Sequence, residues 1–248
     1  TITLETDVTL TPAEGRRPPI LSKTTLDGQG HTINGNGAIG YVLKVSKSKD
    51  EDPSCPGGGD LTLNNATITG GNHAHADASL PSNGGGLVNG CKGVLTLNNV
   101  TVSGNTAKGN GGGIFNSPSG KLTVNNSTIS GNTAGGGGGG IYMLLAPIGS
   151  VVIKNSIVSG NTATANGNEV YGTGDDVTLD MFTVFGHSGE SESEAFYDFT
   201  PGTIDVNATS DGTTETSIAT ALSDILAPLV DHDGYLAHAL VTDSPALD

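Results

Sequence analysis

Three short stretches of this 248-residue chain carry side chains that could do chemistry. HAHAD (73–77) sets His73, His75 and Asp77 at alternate positions. On an extended segment alternate residues face one way, so two imidazoles and a carboxylate could hold Zn²⁺ or Cu²⁺. DHDG (231–234) places Asp231 and Asp233 like the opening of a calcium loop, without the later glutamate that completes one. GDDVTLDMFTVFGH (174–187) gathers Asp175, Asp176, Asp180 and His187, the groups a glycosidic-bond hydrolase would use. A β-eliminating lyase would instead need a base beside a cation that neutralises a uronate, and the only arginines are Arg16 and Arg17, near the N-terminal edge.

What would position these groups is a repeat. LTLNNATITGGN (61–72), LTLNNVTVSGN (95–105), LTVNNSTISGN (122–132), VVIKNSIVSGN (151–161) and VTLDMFTVFGH (177–187) are variants of one phrase, preceded by the looser TTLDGQGHTINGN (24–36). Their closing residues, Asn72, Asn105, Asn132, Asn161 and His187, recur every 26 to 33 residues. A second phrase follows: GGGLVN (84–89), GGGIFN (111–116), GGGIYM (138–143) and the degenerate NEVYG (168–172). Within each copy apolar and polar residues alternate, which is the period of a strand. Leu61 and Leu63, Leu95 and Leu97, Leu122 and Val124, Val151 and Ile153, Val177 and Leu179 face one way, and Thr62, Thr96, Thr123 and Thr178 the other. Beyond the turn Ile68, Val102, Ile129, Val158 and Val184 face inward. Three short strands per repeat, with turns between, match one coil of a β-solenoid.

The turn residues then have a structural purpose. Asparagine tolerates the left-handed backbone region, and its amide bonds neighbouring groups. Stacking coils puts Asn64, Asn98 and Asn125 in one column and Asn65, Asn99, Asn126 and Asn155 in the next, where side-chain amides can bond along the stack. In this frame Asp175 and Asp176 fall in a turn and His187 takes a corner position, so the corner reading is preferred to a hydrolase site. Asn65, Asn99, Asn126 and Asn207 head glycosylation sequons, the first three of which also coincide with ladder corners. Cys55 and Cys91 precede Leu61 and Leu95, entering one corner of consecutive coils, so a disulfide between them is expected, and with it an oxidising compartment.

Composition narrows the function classes. Glycine supplies 39 residues, above the usual share of about 7%. Charged residues are 14%, tryptophan is absent and the net charge is −15. Such a surface repels nucleic acid and anionic lipid, and no apolar run is long enough for direct membrane insertion. The opening TITLETDVTL starts in mid-pattern with no visible signal peptide, which reads as a mature or trimmed chain. Five tyrosines look scattered and offer no obvious platform for a sugar ring.

LTLNN-(T/S)-(V/I)-SGNTA followed by GGGI-(Y/F)-N resembles the right-handed parallel β-helix repeat proteins of bacterial surfaces. LAPLVDHDGYLAHALVTDSPALD is similar to the C-terminal segment of members with a choice-of-anchor domain, and GGG(I/L) to the GGA(I/L/V) motif of polymorphic outer-membrane adhesin passengers, whose FxxN partner motif is not regular here. The resemblance implies a secreted or surface-displayed β-helix. The expectation is therefore an all-β, right-handed parallel β-helix (solenoid) of about six or more coils over 1–187. Residues 188–248 form an acidic loop and a C-terminal cap of the same domain, with a short helix at 217–226. Functionally, a non-enzymatic adhesin passenger, stalk or surface-assembly component is expected, with a polysaccharide-active or glycan-binding β-helix as the alternative. No catalytic residue is assigned, and no cofactor is called for, although calcium is compatible. Partners would be a surface glycan, a protein or further copies joined end to end.

Overall fold

Each pair of phrases, one of either kind, folds as one turn of a parallel β-helix. A computed structural model describes residues 1–11, 17–37, 40–47, 54, 57–74, 82–143, 150–172, 177–179, 183–186, 192–197, 226–232 and 235–240. The first coil holds β1 (Ile2–Thr3) and β2 (Val8–Thr9), and the second β3 (Lys23–Asp27), β4 (Thr32–Asn34) and β5 (Leu43–Val45). The third and fourth run through β6 (Asp60–Thr69), β7 (Asn72–His73), β8 (Leu87–Asn89), β9 (Val94–Ser103), β10 (Thr106–Ala107) and β11 (Ile114–Asn116). The fifth has β12 (Lys121–Asn125), β13 (Thr128–Ser130), β14 (Thr133–Ala134) and β15 (Ile141–Met143). The sixth has β16 (Ser150–Lys154), β17 (Ile157–Val158), β18 (Thr162–Ala163) and β19 (Val170–Tyr171). The seventh has β20 (Val177–Leu179), β21 (Val184–Phe185), the four-residue α1 (Glu192–Ala195) and β22 (Phe196–Tyr197).

Three parallel sheets run along the rod. One has the order β1-β3-β6-β9-β12-β16-β20, joined by β2, β4, β13, β17 and β21; the others are β7-β10-β14-β18 and β5-β8-β11-β15-β19-β22. Leu61, Leu95, Leu122 and Val151 pair in register, as do Leu63, Leu97, Val124 and Ile153, and all eight are buried. Past the corner Ile33, Ile68, Val102, Ile129, Val158 and Phe185 form another interior column.

Strand pairing corrects the sequence alignment in two places. Asn72 pairs with Thr106, so Gly71 stands level with Asn105. Phe185, not Val184, pairs with Val158. An extra corner residue causes each shift: coil three carries two glycines, Gly70 and Gly71, where coil four has Gly104 alone. The pattern of apolar residues survives because both Val184 and Phe185 are buried.

The corners explain the asparagines and the glycine triplet. Asn65, Asn99, Asn126 and Asn155 have φ of 49°, 54°, 48° and 47°, the left-handed region expected for them. In the triplet of coil four, Gly111 turns with φ of 69°. A side chain on Gly112 would stand 2.5 Å from the Thr133 carbonyl oxygen, and one on Gly113 would press on Gly140 and on the Asn132 amide. The first glycine therefore bends the chain, and the next two let adjacent coils touch.

Of the C-terminal segment, β23 (Leu226–His232) and β24 (Tyr235–Leu240) form an antiparallel hairpin whose register shifts between Leu226 and Leu229, around Pro228. A proline lacks the N–H that a regular ladder needs there. β24 lies against β6 and β9. Leu226, the last residue of the expected helix, begins β23; the remainder of that helix, 217–225, lies outside the described residues.

Two ladders differ in burial, and this sets an expectation. Asn132 is fully buried, while Asn98 is half-buried on the outer face. Asn132→Ala should cost about 2–4 kcal/mol in denaturant unfolding, because buried donors and acceptors lose their partners. Asn98→Ala should cost about 1 kcal/mol, since water replaces its bonds. The reverse ranking would contradict this assignment of the ladders.

Candidate functional site: side-chain columns along the rod

The predicted outer ladders are present. The Asn98 amide donates to Asn64 Oδ1 at 2.8 Å and the Asn125 amide to Asn98 Oδ1 at 2.9 Å. In the neighbouring column the Asn99 amide donates to Asn65 at 3.1 Å and that of Asn155 to Asn126 at 2.5 Å. Donors in both columns point towards the N-terminal coils. The second column ends on a carboxylate: Asn65 Nδ2 donates to Asp27 Oδ1 at 3.1 Å. That bond first, then the Gln29 backbone N–H, holds the Asp27 carboxyl below its ordinary range.

A third ladder runs inside the rod with the opposite sense. Asn105 Nδ2 donates to Asn132 Oδ1 at 3.0 Å, Asn132 Nδ2 to Asn161 Oδ1 at 2.9 Å, and Asn161 Nδ2 to Glu169 Oε2 at 2.6 Å. The backbone N–H groups of Asn105 and Asn132 donate to the same oxygens, each at 3.1 Å. Glu169 is fully buried, yet its carboxylate stands where the next asparagine oxygen would, taking the N–H of Gly160 at 2.7 Å as well. Every link is directional, so the last donor requires an acceptor; the carboxylate supplies it. Sequence reading assigned Asn105, Asn132 and Asn161 to corners, and passed over Glu169 inside the degenerate NEVYG. The signal was that Asn168 and Glu169 replace the second and third glycines of the triplet.

The tyrosines are a second correction. Three of the five are not scattered: Tyr142, Tyr171 and Tyr197 are register partners, with Phe115, on the outer face of the third sheet. Ring centroids are 5.5, 4.6 and 4.6 Å apart, with planes 6°, 18° and 17° from parallel. These distances follow the strand separation of about 4.7–4.9 Å. The column continues through Val88 to Lys44. Burial, then the neighbouring Tyr171, pushes the Tyr142 phenol above its usual pKa. Applying the coil period to the aromatic residues would have found this column in the sequence.

His73, Lys44 and Arg17 meet around Tyr41. The Tyr41 hydroxyl donates to the Arg17 carbonyl at 2.6 Å, and the Arg17 guanidinium returns a bond to the Tyr41 carbonyl. Lys44 Nζ lies 5.5 Å from the Tyr41 ring centre, and the His73 ring meets it edge-on at 5.5 Å. His73 Nδ1 is 2.7 Å from the Asn83 carbonyl and 3.2 Å from that of Gly84, so Nδ1 carries the proton. Tyr41, Lys44 and His73 are 2%, 4% and 5% exposed, which makes the group a buried link between coils two and three. His73 thus turns into the rod at the start of the proposed metal triad. His75 and Asp77 lie outside the described residues, as do Asp233, Asp175, Asp176, Asp180, His187, Arg16 and Asn207. Asp231 lies in β23. Among the described residues no group of three or more His, Cys, Asp or Glu is placed to hold a metal ion. Cys91 is buried and disulfide-bonded; Cys55, the only other cysteine, lies outside the described residues.

No family model matches the chain, and neither a curated protein nor a solved structure does.

The ladder ending at Glu169 gives a direct test. Glu169→Leu keeps much of the volume and removes both acceptor oxygens, stranding the two buried donors of Asn161 and the part-buried N–H of Gly160, and should cost about 3 kcal/mol or more. Glu169→Gln retains one oxygen and should lose clearly less. Equal losses in thermal or denaturant unfolding would show that the carboxylate does not terminate the ladder.

Proposed function

We propose that this chain is a non-enzymatic, secreted or cell-surface β-helix module that serves as a rigid stalk, adhesin passenger or surface-assembly component. The observation that carries the reading is the repetition of one outer face from coil to coil. Thr25, Thr62, Thr96 and Thr123 form one register column, and Thr106, Thr133 and Thr162 another. A catalytic site needs unlike groups converging on one point. Here like groups are displayed along a line, and the mixed cluster of Arg17, Tyr41, Lys44 and His73 is largely buried. The disulfide at Cys91 supports an oxidising compartment. The resemblance of the NTA and GGG phrases to bacterial surface repeats points the same way.

Glycan binding is the second reading, favoured by the outward tyrosine column. Its rings are stacked on one another, so their edges rather than their faces meet solvent along the rod. Tyr197, 39% exposed, is the most open ring of the column.

A panel of acidic and neutral polysaccharides, followed by product release, separates these readings from an enzyme. No turnover is expected with any member. Turnover abolished by Lys44→Ala or Tyr41→Phe would overturn the non-enzymatic reading, and saturable glycan-array binding lost in Tyr197→Ala would establish the second.

A further inference from the structure

We propose that Tyr171 and Tyr197 form an oxidative cross-linking site, at which a dityrosine bond staples the sixth coil to the seventh. The observations are geometric. The two rings stack at 4.6 Å with planes 17° apart, and their strands are held in register by the pairing of β19 with β22. That centroid distance is close to the separation of two phenol rings joined edge to edge. Coupling therefore needs the rings to tilt, not the strands to move. Tyr197 is well exposed and Tyr171 half-buried, so an oxidant can reach the pair.

The location also has a physical logic. Among the described residues the amide ladders extend no further than Asn155 and Glu169, in the sixth coil. The first outer column gives way to Lys154, which pairs with Asn125. The seventh coil is tied on by backbone pairing, by the Ser159 hydroxyl donating to the Gly186 carbonyl at 2.8 Å, and by the stacked rings. A covalent bond here reinforces a coil for which no amide ladder is found among the described residues, as the disulfide at Cys91 constrains an earlier coil.

The reaction balances with hydrogen peroxide as oxidant, delivered through a peroxidase. Each phenol gives up one electron and one proton to form a tyrosyl radical. The two radicals join through the ring carbons ortho to oxygen, making one carbon–carbon bond. Each of those carbons then loses its hydrogen as a proton while the ring regains aromaticity, and the hydroxyl is restored. In sum, two tyrosines and one peroxide yield one dityrosine and two waters. Tyr142 stacks on the other side of Tyr171 at 4.6 Å and is the second partner available to the same ring.

The test treats dilute folded protein with a peroxidase and hydrogen peroxide, then isolates the monomer. Expected are dityrosine fluorescence, a monomer mass lower by two hydrogens, and a digest in which the Tyr171 peptide is joined to that of Tyr197. Tyr171→Phe keeps the stack but removes the shared phenol, and should abolish the intramolecular bond. Tyr197→Phe should shift the bond to Tyr142–Tyr171, and Tyr41→Phe should leave wild-type behaviour. Circular dichroism before oxidation establishes that each variant is folded. Absence of dityrosine, links found only between molecules, or a monomer link that persists in Tyr171→Phe would each overturn the proposal.

Discussion

The structure depends on one constraint: each residue of a coil must lie beside its equivalent in the next. A parallel ladder puts equivalent residues side by side, so side chains that attract their own kind are favoured in a column. Asparagine meets that condition because its amide is donor and acceptor at once. Aliphatic side chains meet it by packing, and aromatic rings by stacking. Charged side chains do not, because like charges at strand separation repel. The low charged fraction, and the lack of continuous lysine or glutamate columns among the described residues, follow from this requirement.

Direction is the second consequence. An amide ladder has a donor end and an acceptor end, and both ends must be satisfied. Asp27 accepts from Asn65 at one end of an outer column, and Glu169 accepts from Asn161 at the far end of the inner one. The two ladders run in opposite senses, yet each delivers its donors to a carboxylate. A buried glutamate is costly unless its oxygens are bonded. Here it accepts from Gly160 and Asn161, so its burial is explained by the ladder rather than by chemistry on a substrate.

Much of this was legible in the sequence because period-two alternation and a coil-length repeat are both written in residue types. The parallel β-helix, the inward leucines and the outer asparagine columns follow from LTLNN and its recurrence at coil length. What escaped were features that depend on absolute register. One extra glycine in coil three moved Asn72 off its column, and one extra residue in coil seven exchanged Val184 for Phe185. The tyrosine column and Glu169 escaped for a different reason: each occupies a position filled by another residue type in other coils. Phe115 stands for tyrosine, and glycine for Glu169. A motif search discards such substitutions, whereas the strand register recovers them.

The central claim is that equivalent amides from successive coils bond to one another inside the rod. Hydrogen exchange of the side-chain amide protons of Asn105, Asn132 and Asn161, followed by NMR, measures this most directly. The account predicts exchange only through global unfolding for these three, with far faster exchange at the exposed Asn99 and Asn126. Fast exchange at Asn132, comparable to that of Asn99, would contradict it.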